Sequence, residues 1–188
     1  MGALLLSLVA PLVSAACADP ASLPAPPAGQ VWVAELLPTL AALSPPACLA
    51  VRVDLDGDTR EDLAALARDP LLPDVDTVML WLSAAEGDPA GGWRALVHVR
   101  ALDGEPRAWA GLRAKPAGEA VTAEDLSAAE RATLTRAAAV EVLGPAHPDA
   151  AGRPTAPDTA DVAACSTWYT WGRKGRVTTR ACTGAAAR

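Results

Sequence analysis

The chain has no phenylalanine, a single tyrosine (Tyr169), two methionines and two histidines among its 188 residues. Without phenylalanine, most of the bulky packing must come from Trp32, Trp81, Trp93, Trp109, Trp168 and Trp171. His98 and His147 are the only histidines, and no histidine metal motif, nucleophile elbow or P-loop accompanies them. No catalytic constellation is legible, so a non-catalytic protein is expected. The four cysteines contain no C-x-x-C spacing, which leaves little support for a zinc or thioredoxin-type site. The apolar run from Leu4 to Val13 is too short to span a bilayer as a helix. A formal net charge of −6 argues against nucleic acid as a main partner. At this length one domain with a real core is expected, and hardly two.

What the chain does have is a dense acidic stretch, Val51 to Leu66, with Asp54, Asp56, Asp58 and Asp62 around Gly57. Calcium takes six to eight oxygen ligands, and short loops supply them from carboxylates at alternate positions. Counted from Asp54, the acids fall at the first, third, fifth and ninth positions, and Arg60 at the seventh would offer its backbone carbonyl. Four carboxylates so close repel one another unless a cation neutralises them. The alternative is a solvated acidic turn, with Asp and Gly serving turn geometry alone. Val51 and Val53 before the loop, and Leu63, Ala65 and Ala67 after it, alternate as in half-buried strands.

The run DLDGDTREDL, residues 54–63, resembles the calcium loop of FG-GAP/VCBS-type repeats, and less closely dockerin and EF-hand loops. The resemblance covers about ten residues and implies calcium ligation by Asp54, Asp56, Asp58 and Asp62. Thr59 stands where those repeats usually carry glycine, a position that often takes a left-handed backbone. Ala65 occupies the place of the bidentate EF-hand glutamate, which disfavours that family. A single copy of the loop gives no support to a multi-blade propeller.

The amino terminus reads as an export signal over residues 1–16, an apolar run followed by the small residues Ser14, Ala15 and Ala16. A localisation outside the cytoplasm is therefore expected: periplasmic, cell-envelope or secreted. Residues 17–30 are rich in Pro and Ala and read as an extended linker. A globular domain is expected over 31–184, with a short tail at 185–188.

Cys165 and Cys182 flank a hairpin whose turn is Gly172-Arg173-Lys174-Gly175. A turn centred between Arg173 and Lys174 sets the two cysteines opposite each other, where a disulfide fits. That leaves Cys17 and Cys48. Cys17 follows the small residues directly, as in a bacterial lipobox, so a lipid anchor at Cys17 competes with a Cys17–Cys48 disulfide. Even cysteine arithmetic favours the disulfide.

The carboxy-terminal hairpin also carries a second functional reading. From Cys165 onward there are Arg173, Lys174, Arg176, Arg180 and Arg188 and no acid. In the expected register Thr167, Tyr169 and Trp171 share a face with Arg176, Thr178 and Arg180, with Trp171 opposite Arg176 in a cation–π arrangement. Such a face would dock an anionic glycan, lipid head group or acidic protein without any metal. The alternative use of those aromatics is packing on the sheet.

Elsewhere Val31 to Leu43 reads as a strand running into an irregular segment. Thr77 to Leu82 and Trp93 to Val99 read as an antiparallel pair, with Trp93, Ala95, Val97 and Val99 on one face. Asp103-Gly104 marks a turn, and Pro106 demotes the run after it to an edge strand or loop. Residues 122–138 read as the main helix, with Thr122 or Ser127 as N-cap and Ser127-Ala-Ala-Glu130 as a capping box. Ala139 to Leu143 reads as a strand, and 144–158 as a connector. The expected fold is α+β: an antiparallel sheet, one covering helix and a disulfide-linked terminal hairpin. The expected function is that of an exported small domain, an envelope or secreted component, with one structural Ca2+ loop.

Overall fold

A computed structural model describes residues 17–36, 38–43, 45–72, 75–83, 92–100, 111–121, 126–143, 165–172 and 175–182. The side chains of Pro38, Thr39, Val99, Arg100, Cys165 and of 172–182 are not among those described. The expected signal segment, the Asp103-Gly104 turn, the Thr122 cap, the 144–158 connector with His147 and the 185–188 tail lie outside the described residues.

The chain folds mostly as antiparallel β-structure with one main helix, consistent with an α+β class. The first sheet holds β1 (Val31–Trp32), β2 (Ala50–Val53), β3 (Asp62–Arg68), β4 (Val75–Leu82) and β5 (Gly92–Arg100). Its order is β1-β3-β4-β5, and β2 pairs with β3 beside β1. The second sheet runs β6 (Gly111–Lys115), β7 (Ala139–Leu143), β8 (Cys165–Gly172) and β9 (Gly175–Cys182) in chain order. A short helix α1 (Pro38–Ala41) follows β1, and α2 (Ala128–Arg136) joins β6 to β7.

Two sheets, rather than the one expected, result from how the apolar residues divide. Val51, Val53, Ala64, Leu66, Val78, Leu80 and Leu82 of the first sheet share a core with Leu112, Val140, Val142 and Tyr169 of the second. Each sheet thus buries one face against the other, the usual solution for two antiparallel layers. The largest fully buried side chains of this core are leucines and valines. The described tryptophans do not supply most of its bulk: Trp32, Trp81 and Trp93 lie on the outer face of the first sheet, Trp168 packs against Val121, Leu126 and Leu134, and Trp171 alone packs against this core.

The sheets meet at a corner. Cys48 exchanges both backbone hydrogen bonds with Leu112 of β6, at 2.8 Å each, while the next residues enter β2. Gly111 makes this approach possible, since a Cβ there would stand 2.7 Å from that of Ala47. β3 is buried along Asp62 to Ala67 because both of its faces are covered. Ala64 and Leu66 face the second sheet, while Leu63 and Ala65 lie under Ala18 and the tryptophans.

β4 and β5 pair antiparallel, and the register slips at Val78/Met79, so that Val78 faces Val97 while Met79 faces Ala95. This bulge separates Trp93 and Ala95 from Val97 in the face expected to run from Trp93 to Val99, whose last side chain is not among those described. Leu96 enters the central core with Val97 beside it, whereas Trp93 lies on the outer face. An extra residue in one strand reverses the alternation beyond it.

The helix is shorter than the expected 122–138. Ser127 is the N-cap, and its capping box with Glu130 is complete. The helix stops at Arg136 because Ala137 takes an extended backbone (φ −91°, ψ 148°) as the chain enters β7. The buried Lys115 closes that end by donating from Nζ to the carbonyls of Ala137 and Pro116, both at 2.8 Å.

Residues 17–30, read as a linker, form a strap across the first sheet. Cys17 bridges to Val51, Ala18 N donates to Ala50 O at 2.8 Å, and Asp19 caps a 3-10 turn over Pro20–Ser22. A Cys17–Cys48 disulfide, with its Cα atoms 5.3 Å apart, ties the strap to the corner. Its closure of 31 residues of chain contributes about 3 to 4 kcal/mol in the chain-entropy model.

A candidate metal loop between β2 and β3

Val53 pairs with Asp62, so residues 54–61 form a loop closed at its base by the β2–β3 ladder. Leu55, 4% exposed, plugs the loop into the central core and fixes its near side. The far side is organised by the aspartates as acceptors for backbone N–H groups. Asp54 accepts from Gly57 N at 2.8 Å through Oδ1 and from Thr59 N at 3.0 Å through Oδ2. Asp56 Oδ1 accepts from Asp58 N at 3.1 Å, and Asp58 Oδ1 from Arg60 N at 2.8 Å. Such local acceptors suit Asp in turns. Gly57 has φ 82°, which glycine adopts without penalty. Thr59, in the place where the resembled repeats carry glycine, takes the same left-handed backbone with φ 72°.

The loop brings Asp54, Asp56 and Asp58 together, with one carboxylate oxygen of each within 4.8 Å of the others. That set could hold a metal ion. Burial pushes the Asp56 carboxyl above its ordinary value of 3.8, and the neighbouring charges of Asp58 and Asp54 push in the same direction. A cation between them would relieve that repulsion.

Asp62 stands apart from this cluster. It is fully buried at the start of β3, and Oδ2 accepts from Leu55 N while Oδ1 accepts from Ser83 N, both at 2.8 Å. Its role here is to pin the loop to the end of β4. Burial raises its carboxyl above 3.8, with the backbone N–H groups of Ser83, Leu55 and Asp56 pulling the other way. Nothing in the D-x-D-x-D spacing distinguishes a ninth-position ligand from such a buried brace. The clue in the sequence is the flanking Leu63, which starts the buried strand at Asp62 itself. Arg60 is exposed, and its N–H belongs to the turn that Asp58 closes.

The second candidate region, the carboxy-terminal hairpin, is built from β8 and β9. Their backbone register sets Cys165 opposite Cys182, Trp171 opposite Arg176 and Thr167 opposite Arg180. The expected disulfide and the side chains of Arg176 and Arg180 lie outside the described side chains. The aromatics take the packing role: Tyr169, 6% exposed, belongs to the core between the sheets, and Trp171 packs against that core. A docking face built on Tyr169 is therefore not what the fold presents.

Cys17 is engaged through its sulfur with Cys48. A sulfur in a disulfide has no valence left for a thioether lipid, so the two expected uses of Cys17 exclude each other, and the structure has the disulfide. No helix among the described residues is long and apolar enough to cross a membrane. Comparison of the chain with protein-family models, with curated proteins and with solved structures gave no match in any of the three.

Proposed function

We propose that the protein is an exported, non-catalytic domain whose 54–60 loop binds Ca2+ as a structural clamp between β2 and β3. Asp54, Asp56 and Asp58 would ligate through carboxylate oxygens, and Arg60 through its backbone carbonyl. The convergence of three carboxylate oxygens within 4.8 Å carries this reading. Hard oxygen donors of that kind suit calcium, and the remaining coordination positions would be filled by water. Asp62 supports the site from behind by holding Leu55 and Ser83. The left-handed backbone at Thr59 adds to the resemblance to FG-GAP/VCBS-type loops. The Cys17–Cys48 disulfide accords with an oxidising compartment outside the cytoplasm.

A loop with three carboxylates and one braced end is expected to bind on the order of 0.1 to 1 mM, as extracellular modules do. With a dissociation constant of about 0.1 mM, 1 mM calcium stabilises the fold by about 1.4 kcal/mol. For a domain of this size that raises the melting temperature by roughly 3 to 6 °C. The test is thermal unfolding in chelator and in 1 mM calcium, beside an Asp56→Ala variant. The rise should appear in the wild type and vanish in the variant. Equal melting in both conditions for the wild type would reduce the loop to an acidic turn.

A further inference from the structure

The strap of residues 17–30 crosses the outer face of the first sheet in a way that specifies a ligand. Leu23 has φ −72° and ψ 140°, the polyproline II region. Pro24, Pro26 and Pro27 fix their own backbone, and each residue that precedes a proline is held extended. Leu23 to Pro27 is thus a short polyproline II stretch with P-x-x-P spacing, from Pro24 to Pro27. That conformation makes no internal hydrogen bonds, so its carbonyls are available to donors outside it.

The face beneath supplies those donors from tryptophans. Trp32 Nε1 donates to Pro24 O at 3.0 Å, and Trp93 Nε1 donates to Ala25 O at 3.2 Å. The Trp93 ring lies 4.9 Å from that of Trp32 and 5.1 Å from that of Trp81, in tilted and edge-on contacts. Leu23 packs into the same cluster over Ala65 and Leu63. All three tryptophans remain partly exposed with the strap in place. Aromatic rings that stack along a proline-rich chain while indole N–H groups take its carbonyls are the general chemistry of proline-rich peptide recognition.

We propose that the Trp32–Trp81–Trp93 face is a docking surface for proline-rich peptides of the P-x-x-P kind, occupied in cis by Leu23 to Pro27. A proline-rich segment of another protein takes the same place when the strap leaves it. The tether through Cys17–Cys48 keeps the strap at a high effective concentration and so sets the threshold a partner must exceed. This surface is independent of the acidic loop.

The test uses the full chain with Pro24→Ser, Pro26→Ser and Pro27→Ser, which removes the strap's fit while keeping its length. The probe is a synthetic peptide with the sequence of residues 20–28 and blocked ends, followed by tryptophan emission and calorimetry. The variant should bind it, and the wild type should bind roughly ten-fold or more weakly, because its face is already filled. A peptide with its prolines replaced by serine should not bind, and adding Trp93→Ala to the variant should abolish uptake. No uptake by a variant with unchanged far-ultraviolet circular dichroism, or equal uptake of the serine peptide, overturns the proposal. If the triple variant does not fold, Trp93→Phe in the wild-type chain decides. Losing that one indole donor should speed amide exchange of residues 18–30 by roughly five-fold with β3 and β4 unchanged. Unchanged exchange in the strap overturns the proposal.

Discussion

Thr59 is the one described non-glycine residue with a left-handed backbone, at φ 72°. A β-branched side chain there costs about 1 to 2 kcal/mol, because its Cβ crowds the following carbonyl. The hydrogen bond from its N–H to Asp54 Oδ2 helps to hold the residue in place. Thr59→Gly removes the crowding but adds about 0.5 to 1 kcal/mol of unfolded-chain entropy. The balance favours the glycine variant by about 0.5 to 1 kcal/mol, readable as a higher urea midpoint with an unchanged slope. A lower midpoint would mean that the threonine side chain contributes more to the loop than its backbone costs. The neighbouring aspartates show how far the site could be read. The spacing of Asp54, Asp56 and Asp58 announces their convergence, since alternate positions in a turn face inward together. Asp62 has the same chemistry, and only its complete burial and its place outside the converging trio set it apart, since Asp54 too has both oxygens on backbone N–H groups.

Helix α2 is nine residues long and buries a single side chain, Leu134, so its ends matter more than its face. Helices this short are marginal without capping and packing. Ser127 accepts from Glu130 N, and the Glu130 carboxylate accepts in return from Ser127 N at 2.9 Å. Ser127→Ala should cost about 1 kcal/mol of unfolding free energy, measured by chemical denaturation. A change below a few tenths would show that Trp168 and Leu126, not the cap, hold the helix. The start of this element was legible because capping is local chemistry carried by Ser127 and Glu130 alone. Its end was not: Ala137 and Ala138 are good helix formers, and the pull of β7 into the second sheet is a tertiary effect. The bulge in β5 belongs to the same class, as the apolar run Ala95-Leu96-Val97 is compatible with either register.

At the scale of the whole molecule, most strands were legible from apolar runs and turn signals, but β6 and the division of the strands into two sheets were not. Cys48 and Gly111 make the corner, and neither residue type announces one. The Pro- and Ala-rich composition of the strap marks a linker in the sequence, yet the same prolines preorganise it for the tryptophan face. Burial has a global electrostatic consequence as well. Asp56, Asp62 and Glu141 are all raised above their ordinary values of 3.8, 3.8 and 4.5, in each case chiefly by burial. For Glu141 the Ser166 hydroxyl and the Arg113 guanidinium, 3.6 Å away, oppose that rise.

A carboxyl raised in the folded state binds its proton there first as the pH falls. Between its ordinary and its folded value the folded protein therefore holds more protons than the unfolded chain, and stability increases on acidification. The cost of burying the charge is present in full above the folded value and relieved below it. Glu130 works in the opposite sense: the Ser127 hydroxyl and N–H lower it, so its contribution is complete above 4.5 and lost as the pH falls through its folded value. In chelator, then, the urea midpoint should rise as the pH falls toward the ordinary values of 3.8 and 4.5, against the loss from Glu130 that sets in below 4.5. Calcium must reverse the slope, because ligation requires Asp54, Asp56 and Asp58 ionised and the ion competes with protons for them. The decisive measurement is the midpoint at several pH values in chelator and in 1 mM calcium. Curves that converge toward acid and separate toward neutrality identify the cation with the carboxylates. Parallel curves would place any calcium effect elsewhere on the protein, and a chelator curve that falls steadily from neutral pH would show that the remaining carboxylates outweigh Asp56, Asp62 and Glu141.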